Sequence, residues 1–172
     1  MGLPIKIIKH ESFCEMIHMQ LLGIRTSPKS IRYAVLDFEG QEVEFLNADK
    51  ENKIDFPAEI QTSEKKVSWL FNEFQRILRL YPEVKYVTIK SNEYTQRGSE
   101  SSSSREAAYL DGTILLVSEI NQKKVVMKLY KTMKTKRAEV KDFAEKTVGR
   151  SLKNWDVQIA DAVIAAWSSR CI

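Results

Sequence analysis

Cysteine and histidine are scarce. The 172 residues include two cysteines, Cys14 and Cys171, near opposite ends of the chain, and no C-x-x-C pair. That excludes a disulfide framework, and reduced thiols in a cytoplasmic protein are the expectation. The two histidines, His10 and His18, lack the H-x-x-x-H spacing of a metal site and give no base for histidine acid–base chemistry. No apolar run approaches the ~18 residues that would cross a bilayer, and the first residues do not read as a cleaved leader. Lys6 stands where an N-myristoylation signal needs Ser or Thr, so no membrane partner is expected. A glycine-rich phosphate loop, a Ser/His/Asp arrangement and an activated cysteine are all missing. NTPase, serine-hydrolase and thiol chemistry therefore have no support.

What is present is ordinary in bulk and uneven in charge. Apolar residues make up 43% and charged residues 29%, values of a globular domain rather than a disordered or collagen-like chain. The length suits one domain. The net charge is only +4, but residues 123–153 hold eleven Lys/Arg against Glu139, Asp142 and Glu145. That stretch carries +8 and leaves −4 for the rest, a segregation that favours a polyanion partner over one face. A solvated lysine-rich surface is the competing explanation.

Residues 1–18 show no period and are expected to form an N-terminal arm before a domain spanning 19–172. Three short apolar runs follow, around Leu21–Ile24, Ile31–Asp37 and Glu42–Leu46, separated by Thr26-Ser27-Pro28-Lys29-Ser30 and Glu39-Gly40. They predict an antiparallel meander. Asp49–Gln61 reads as a loop. Val67, Leu70, Phe71, Phe74, Ile77, Leu78 and Tyr81 recur at three and four, predicting a helix that Thr62 or Ser63 caps and Pro82 stops. Val84–Ile89 predicts a parallel strand, and Ser91–Ser104 a long polar loop. Ser103-x-x-Glu106 reads as a capping box for a helix through Val117. Val125–Tyr130 predicts a strand with Val125, Met127 and Leu129 facing one way. Two helices close the pattern, one over Ala138–Val148 ending at Gly149, and one around Ile159–Ala166 with Asn154 as cap. The expected fold is α/β: a mixed five-stranded sheet, three antiparallel strands then two parallel, with helices on both faces.

This order resembles the RNase H-like superfamily, in particular the RuvC-type Holliday-junction resolvases. The resemblance runs from about Leu21 to Trp167. It rests on Leu22-Gly23-Ile24-Arg25-Thr26-Ser27, Val87-Thr88-Ile89-Lys90 and Ile159-Ala160-Asp161-Ala162-Val163-Ile164-Ala165. Ile89-Lys90 and Glu106-Ala107-Ala108 are also similar to a small uncharacterised bacterial family. The resemblance implies an enzyme that cleaves phosphodiesters with two Mg²⁺ or Mn²⁺ ions held by four carboxylates, because ions roughly 4 Å apart need anionic oxygens to offset their repulsion. By that pattern one acid ends the first strand, one ends the fourth, and two lie a turn apart in the last helix. Here those positions hold Arg25, Lys90, Gln158 and Asp161. Only Asp161 matches, and it is the one metal ligand the resemblance supplies.

The reading that follows is a nucleic-acid-binding protein, for structured or branched DNA or RNA, on a nuclease scaffold that has lost metal-dependent cleavage. No cofactor is expected. Arg25, Lys90, Arg97, Arg105, Lys131, Lys134, Lys136 and Arg137 are the candidate phosphate contacts, with Tyr94 and Trp155 as candidate base-stacking residues and buried packing as the competing role for Trp155. Arg25 has a second role open to it, a structural salt bridge with Asp161. The first alternative is a Mg²⁺- or Mn²⁺-dependent nuclease with rearranged catalytic acids, Glu93, Asp156 and Asp161, while Asp37 and Asp111 are placed elsewhere. The second is a non-catalytic interaction module or homodimer, which an exposed apolar patch would reveal.

Overall fold

The computed structural model describes residues 18–93 and 101–170. Residues 1–17 of the expected arm, both cysteines, Tyr94 and Arg97 lie outside the described residues. In chain order the elements are β1 (Met19–Thr26), β2 (Ser30–Glu39), β3 (Glu42–Phe45), β4 (Lys53–Asp55), α1 (Ser63–Leu80), β5 (Val84–Lys90), α2 (Ser102–Ile120), β6 (Lys124–Lys128), α3 (Val140–Thr147) and α4 (Val157–Trp167). The sheet runs β3-β2-β1-β5-β6, with β4 also pairing β2. The β1–β2, β2–β3 and β2–β4 pairings are antiparallel, and β1–β5 and β5–β6 are parallel.

The expected mixed sheet is present with one strand more than the five expected. β4 lies inside the stretch taken for a loop, where Ile54 pairs with Ile31 and is buried. Its three residues are too short to show a period of two.

Period-two alternation divides the side chains between two layers. Leu22 and Ile24 of β1, Ile31, Tyr33 and Val35 of β2, and Val87 and Ile89 of β5 meet α1 and α2. Leu21, Ala34, Leu36 and Phe38 turn the other way, against α3 and α4. Helix α4 is buried on every side from Ile159 to Ala166, and its many alanines let its backbone approach the sheet closely. The closest approach is at Gly23. A Cβ there would collide with the carbonyl oxygen of Ala162 and come within 2.8 Å of the Ala166 nitrogen. Glycine is required because helix backbone occupies the space.

Several local details correct the sequence reading. Ser101 caps α2, its side chain accepting from the Ser104 amide, so Ser103 and Glu106 form no capping box. Glu106 instead pairs with Lys66 of α1 at 2.7 Å. Asp156, not Asn154, caps α4, accepting from the Ile159 amide. Strand β6 ends at Lys128, and Met127 and Leu129 are exposed rather than facing the core with Val125.

Asn154 belongs to a buried amide network. Its side chain donates to Asn52 Oδ1, while Asn52 Nδ2 donates to Ser151 Oγ and Ser151 Oγ to the Ala48 carbonyl. Asn47 accepts from the Val35 amide and donates to the carbonyls of Tyr33 and Glu51. These bonds fasten the β3–β4 corner to the α3–α4 connection.

Candidate functional site

Lys90 ends β5 and Arg25 is the last residue but one of the adjacent parallel β1, each one residue beyond the paired Ile89 and Ile24. Alternation sends Arg25 to the same side as Gly23, and Lys90 to the same side as Thr88, the face covered by α4. Asp161 lies on α4 next to Ala162, which packs over Gly23. Arg25, Lys90 and Asp161 therefore come together at the carboxyl ends of β1 and β5.

Arg25 Nε lies 3.3 Å from Asp161 Oδ2. This is a charge contact rather than a hydrogen bond, since that N–H finds no aligned acceptor. Arg25 Nη1 donates to the Lys90 carbonyl at 3.2 Å, tying the two strand ends together. Asp161 accepts a 2.7 Å hydrogen bond from the Tyr130 hydroxyl through its other oxygen. The Tyr130 ring in turn lies 3.8 Å from Lys90 Nζ, a cation–π contact. Lys90, whose side chain is 1% exposed, donates 2.7 Å bonds to Glu93 Oε2 and to the Ser91 carbonyl. Glu93 Oε2 also accepts from the Tyr130 backbone N–H at 3.3 Å.

On the other side of the sheet, Thr26 donates to Asp111 Oδ1 of α2 at 2.5 Å. Asp111 lies one residue after buried Leu110 and three before buried Ile114, so the helix repeat turns it inward.

Burial dominates the electrostatics. It lifts the Asp161 carboxyl above the usual carboxylate range, although the Tyr130 hydrogen bond and the charges of Arg25, Lys90 and Arg137 oppose it. Burial lifts Asp111 likewise, against Thr26, Arg25 and Lys90. It lowers the Lys90 ammonium, with Arg25 adding to the effect and Glu93 and Asp161 resisting it. The Tyr130 phenol is pushed up by burial and then by Asp161. These directions describe a desolvated cluster of near-balanced charge.

The remaining candidates divide by position. Lys131, Lys134, Lys136 and Arg137 are exposed on the connection between β6 and α3. Of these, Arg137 is close enough for its charge to act on both Tyr130 and Asp161. Arg105 is exposed in the first turn of α2. Trp155 is partly buried against the α3–α4 core, which disfavours base stacking. Asp156 is engaged elsewhere: both Nε and Nη2 of Arg32 bond its Oδ2, at 3.1 and 2.7 Å, while its Oδ1 caps α4. Asp37 meets His18 and Gln20 at the opposite end of β1.

The residues present do not fit a pair of divalent ions. Among the described residues no group of three or more Asp, Glu, His or Cys could hold a metal, so Glu93, Asp156 and Asp161 form no such set. At the cleft itself, guanidinium and ammonium groups contact the carboxylates that would have to serve as ligands. Sequence reasoning missed Tyr130, the residue linking Lys90, Glu93 and Asp161. The run Val125–Tyr130 reads as one strand, and only the Lys-rich sequence after it marks a change.

No protein-family model and no curated protein matches the sequence. Comparison with solved structures finds clear neighbours. Thermus thermophilus RuvC in complex with a Holliday-junction substrate aligns with a TM-score of 0.71 at 13% identity, covering 88% of this chain and 92% of that one. A second Thermus thermophilus RuvC structure gives 0.70 at 14% identity, with 87% and 92% covered. The yeast mitochondrial Holliday-junction resolvase Ydc2 gives 0.58 at 11% identity, with 91% and 79% covered. The strand order and the helical layers on its two faces are thus those of a RuvC-like, RNase H-like fold.

Proposed function

We infer that this protein binds nucleic acid, with branched or structured DNA as the leading candidate, and does not cleave it by the two-metal route. One observation carries the reading: Arg25 and Lys90 occupy the ends of β1 and β5, where a metal-dependent site would need carboxylates. The exposed cations Lys131, Lys134, Lys136 and Arg137 follow Tyr130 on the connection after β6, so phosphate contacts there would lead into the cleft. The solved complex of a RuvC with a Holliday junction supports the choice of a four-way junction as first ligand. Titration of a labelled junction at increasing salt tests this reading. Four phosphate contacts predict a log–log slope of about −3.6, at roughly −0.9 per neutralised phosphate. The same mixtures incubated with Mg²⁺ or Mn²⁺ are expected to show no scission. Metal-dependent cutting abolished by EDTA and by Asp161→Asn would establish the nuclease alternative. Absence of junction, duplex and single-strand binding at low salt would remove the reading.

A homodimer is favoured by a separate observation. Tyr109, Leu116 and Ile120 project from one side of α2, each more than half exposed. Spacings of seven and four put them on one helical stripe. Burying such a stripe against a second copy would remove apolar surface from water. A mass that rises with concentration and falls with Leu116→Lys is the expected result.

A further inference from the structure

Lys90 and Glu93 are unequal partners. The Lys90 side chain is 1% exposed, whereas that of Glu93 is 37% exposed. A buried ammonium needs an anion beside it, because an uncompensated charge in that setting is strongly destabilising. Glu93 supplies that anion, but at the mouth of the cleft and from a side chain that water can take up.

The seat Glu93 fills is built from two elements. Lys90 Nζ, at the end of β5, donates to Oε2 at 2.7 Å. The Tyr130 backbone N–H, from the connection after β6, donates to the same oxygen at 3.3 Å. The Tyr130 ring beside Nζ walls one side. Arg25 holds the Lys90 carbonyl, so the backbone bearing the amine is fixed without help from Glu93. An ammonium and a backbone amide converging on one anionic oxygen are the donors a phosphodiester oxygen takes.

We propose that Lys90 Nζ and the Tyr130 amide form a phosphate-oxygen site that Glu93 occupies in the free protein and yields to a nucleic-acid phosphate. This deepens the nucleic-acid reading by naming a subsite and its competitor. The tethered carboxylate acts at high local concentration, so a free anion displaces it poorly. A phosphate belonging to a strand already held by Lys131 or Arg137 arrives with the same intramolecular advantage. Glu93 thereby selects anchored polyanions over small ones.

The test uses inorganic phosphate and the four-way junction on the full chain, with the wild type, Glu93→Gln and Glu93→Asp. Titration with phosphate is followed by the ¹H–¹⁵N resonance of Tyr130 and by thermal unfolding. Glu93→Gln keeps the length of the side chain and removes its charge. It is expected to bind phosphate about tenfold more tightly than the wild type, the scale of one charge-assisted competitor removed. Its Tyr130 amide shifts on titration, and its melting temperature rises more with phosphate than that of the wild type. Glu93→Asp, with a shorter arm, is expected to fall between them. Junction affinity should rise in Glu93→Gln, with a salt slope steeper by about one phosphate contact. Equal phosphate affinity in all three proteins, or a Tyr130 amide silent to phosphate, overturns the proposal. Tighter phosphate binding by Glu93→Gln without junction binding by any of the three upholds the seat and removes the nucleic-acid reading. Equal junction binding with a silent Tyr130 amide does the reverse.

Discussion

Replacing Gly23 with alanine adds one methyl group at the place where β1 and α4 touch. The added Cβ meets the Ala162 carbonyl oxygen, the Ala166 nitrogen and the Ala162 carbonyl carbon, all helix backbone that cannot rotate aside. Overpacking ordinarily costs about 1–3 kcal/mol. With backbone on the receiving side, a cost at the upper end, about 3 kcal/mol, is expected. In a domain of this size each kcal/mol moves the melting temperature by about 2–4 °C, so a fall of about 10 °C should appear in thermal unfolding followed by circular dichroism. The displacement also carries Asp161 away from Arg25, so junction binding is expected to change along with stability. Gly112→Ala is the control. A Cβ there meets nothing within 4 Å, and the residue lies within α2. Helix propensity alone predicts a gain of roughly 1 kcal/mol. If Gly23→Ala melts within about a degree of the wild type, α4 is not seated on β1 as described, and the convergence of Arg25 with Asp161 loses its basis.

Other perturbations probe the charges. Burial lifts the carboxyls of Asp111 and Asp161 above 3.8, so between 3.8 and their folded values the folded chain holds more protons than the unfolded one. Their contribution to stability must fall as pH rises through that window, and Asp111→Asn should flatten that fall in urea unfolding carried out at a series of pH values above 3.8. For Asp156, burial pushes up, but Arg32 and the Ile159 amide outweigh it and hold the carboxyl low. Its stabilisation is present above 3.8 and disappears as pH falls through the folded value. Asp156→Ala removes both the α4 cap and the partner of Arg32, and should cost about 2–3 kcal/mol in urea unfolding. Combining Arg25→Asp with Lys90→Glu gathers carboxylates around Asp161. Mn²⁺ should then raise the melting temperature of the double variant and leave the wild type unmoved, and an equal response would contradict the placement of the two cations.

The strands and the helix that position Arg25, Lys90 and Asp161 are legible in the sequence because each carries a local apolar pattern bounded by turn or cap signals. Leu21 to Ile24 stands out as an apolar run before a turn signal, Val84 to Ile89 as a β-branched run after Pro82, and Ile159, Ala162, Val163 and Ala166 as spacings of three and one that keep to one helix face. β4 escaped because three residues cannot display a repeat. Asp156 looks like a catalytic candidate in the sequence since nothing in its neighbourhood announces Arg32, which lies 124 positions away. Tyr130 was hidden for a similar reason. Its hydroxyl reaches 31 residues forward to Asp161, and its amide 37 residues back to Glu93. Contacts of this kind are set by how the layers close, which local pattern does not encode.

The Asn47–Asn52–Ser151–Asn154 network joins its two segments with neutral groups alone. Mobile ions in solution screen opposed charges but have little purchase on neutral amides and hydroxyls that are buried or half-buried. Raising the ionic strength should therefore strip a bound polyanion from the basic connection while this corner keeps α4 in register. If the proposed nucleic-acid binding holds, release and unfolding are then separate events, with the cleft still assembled after the ligand has left.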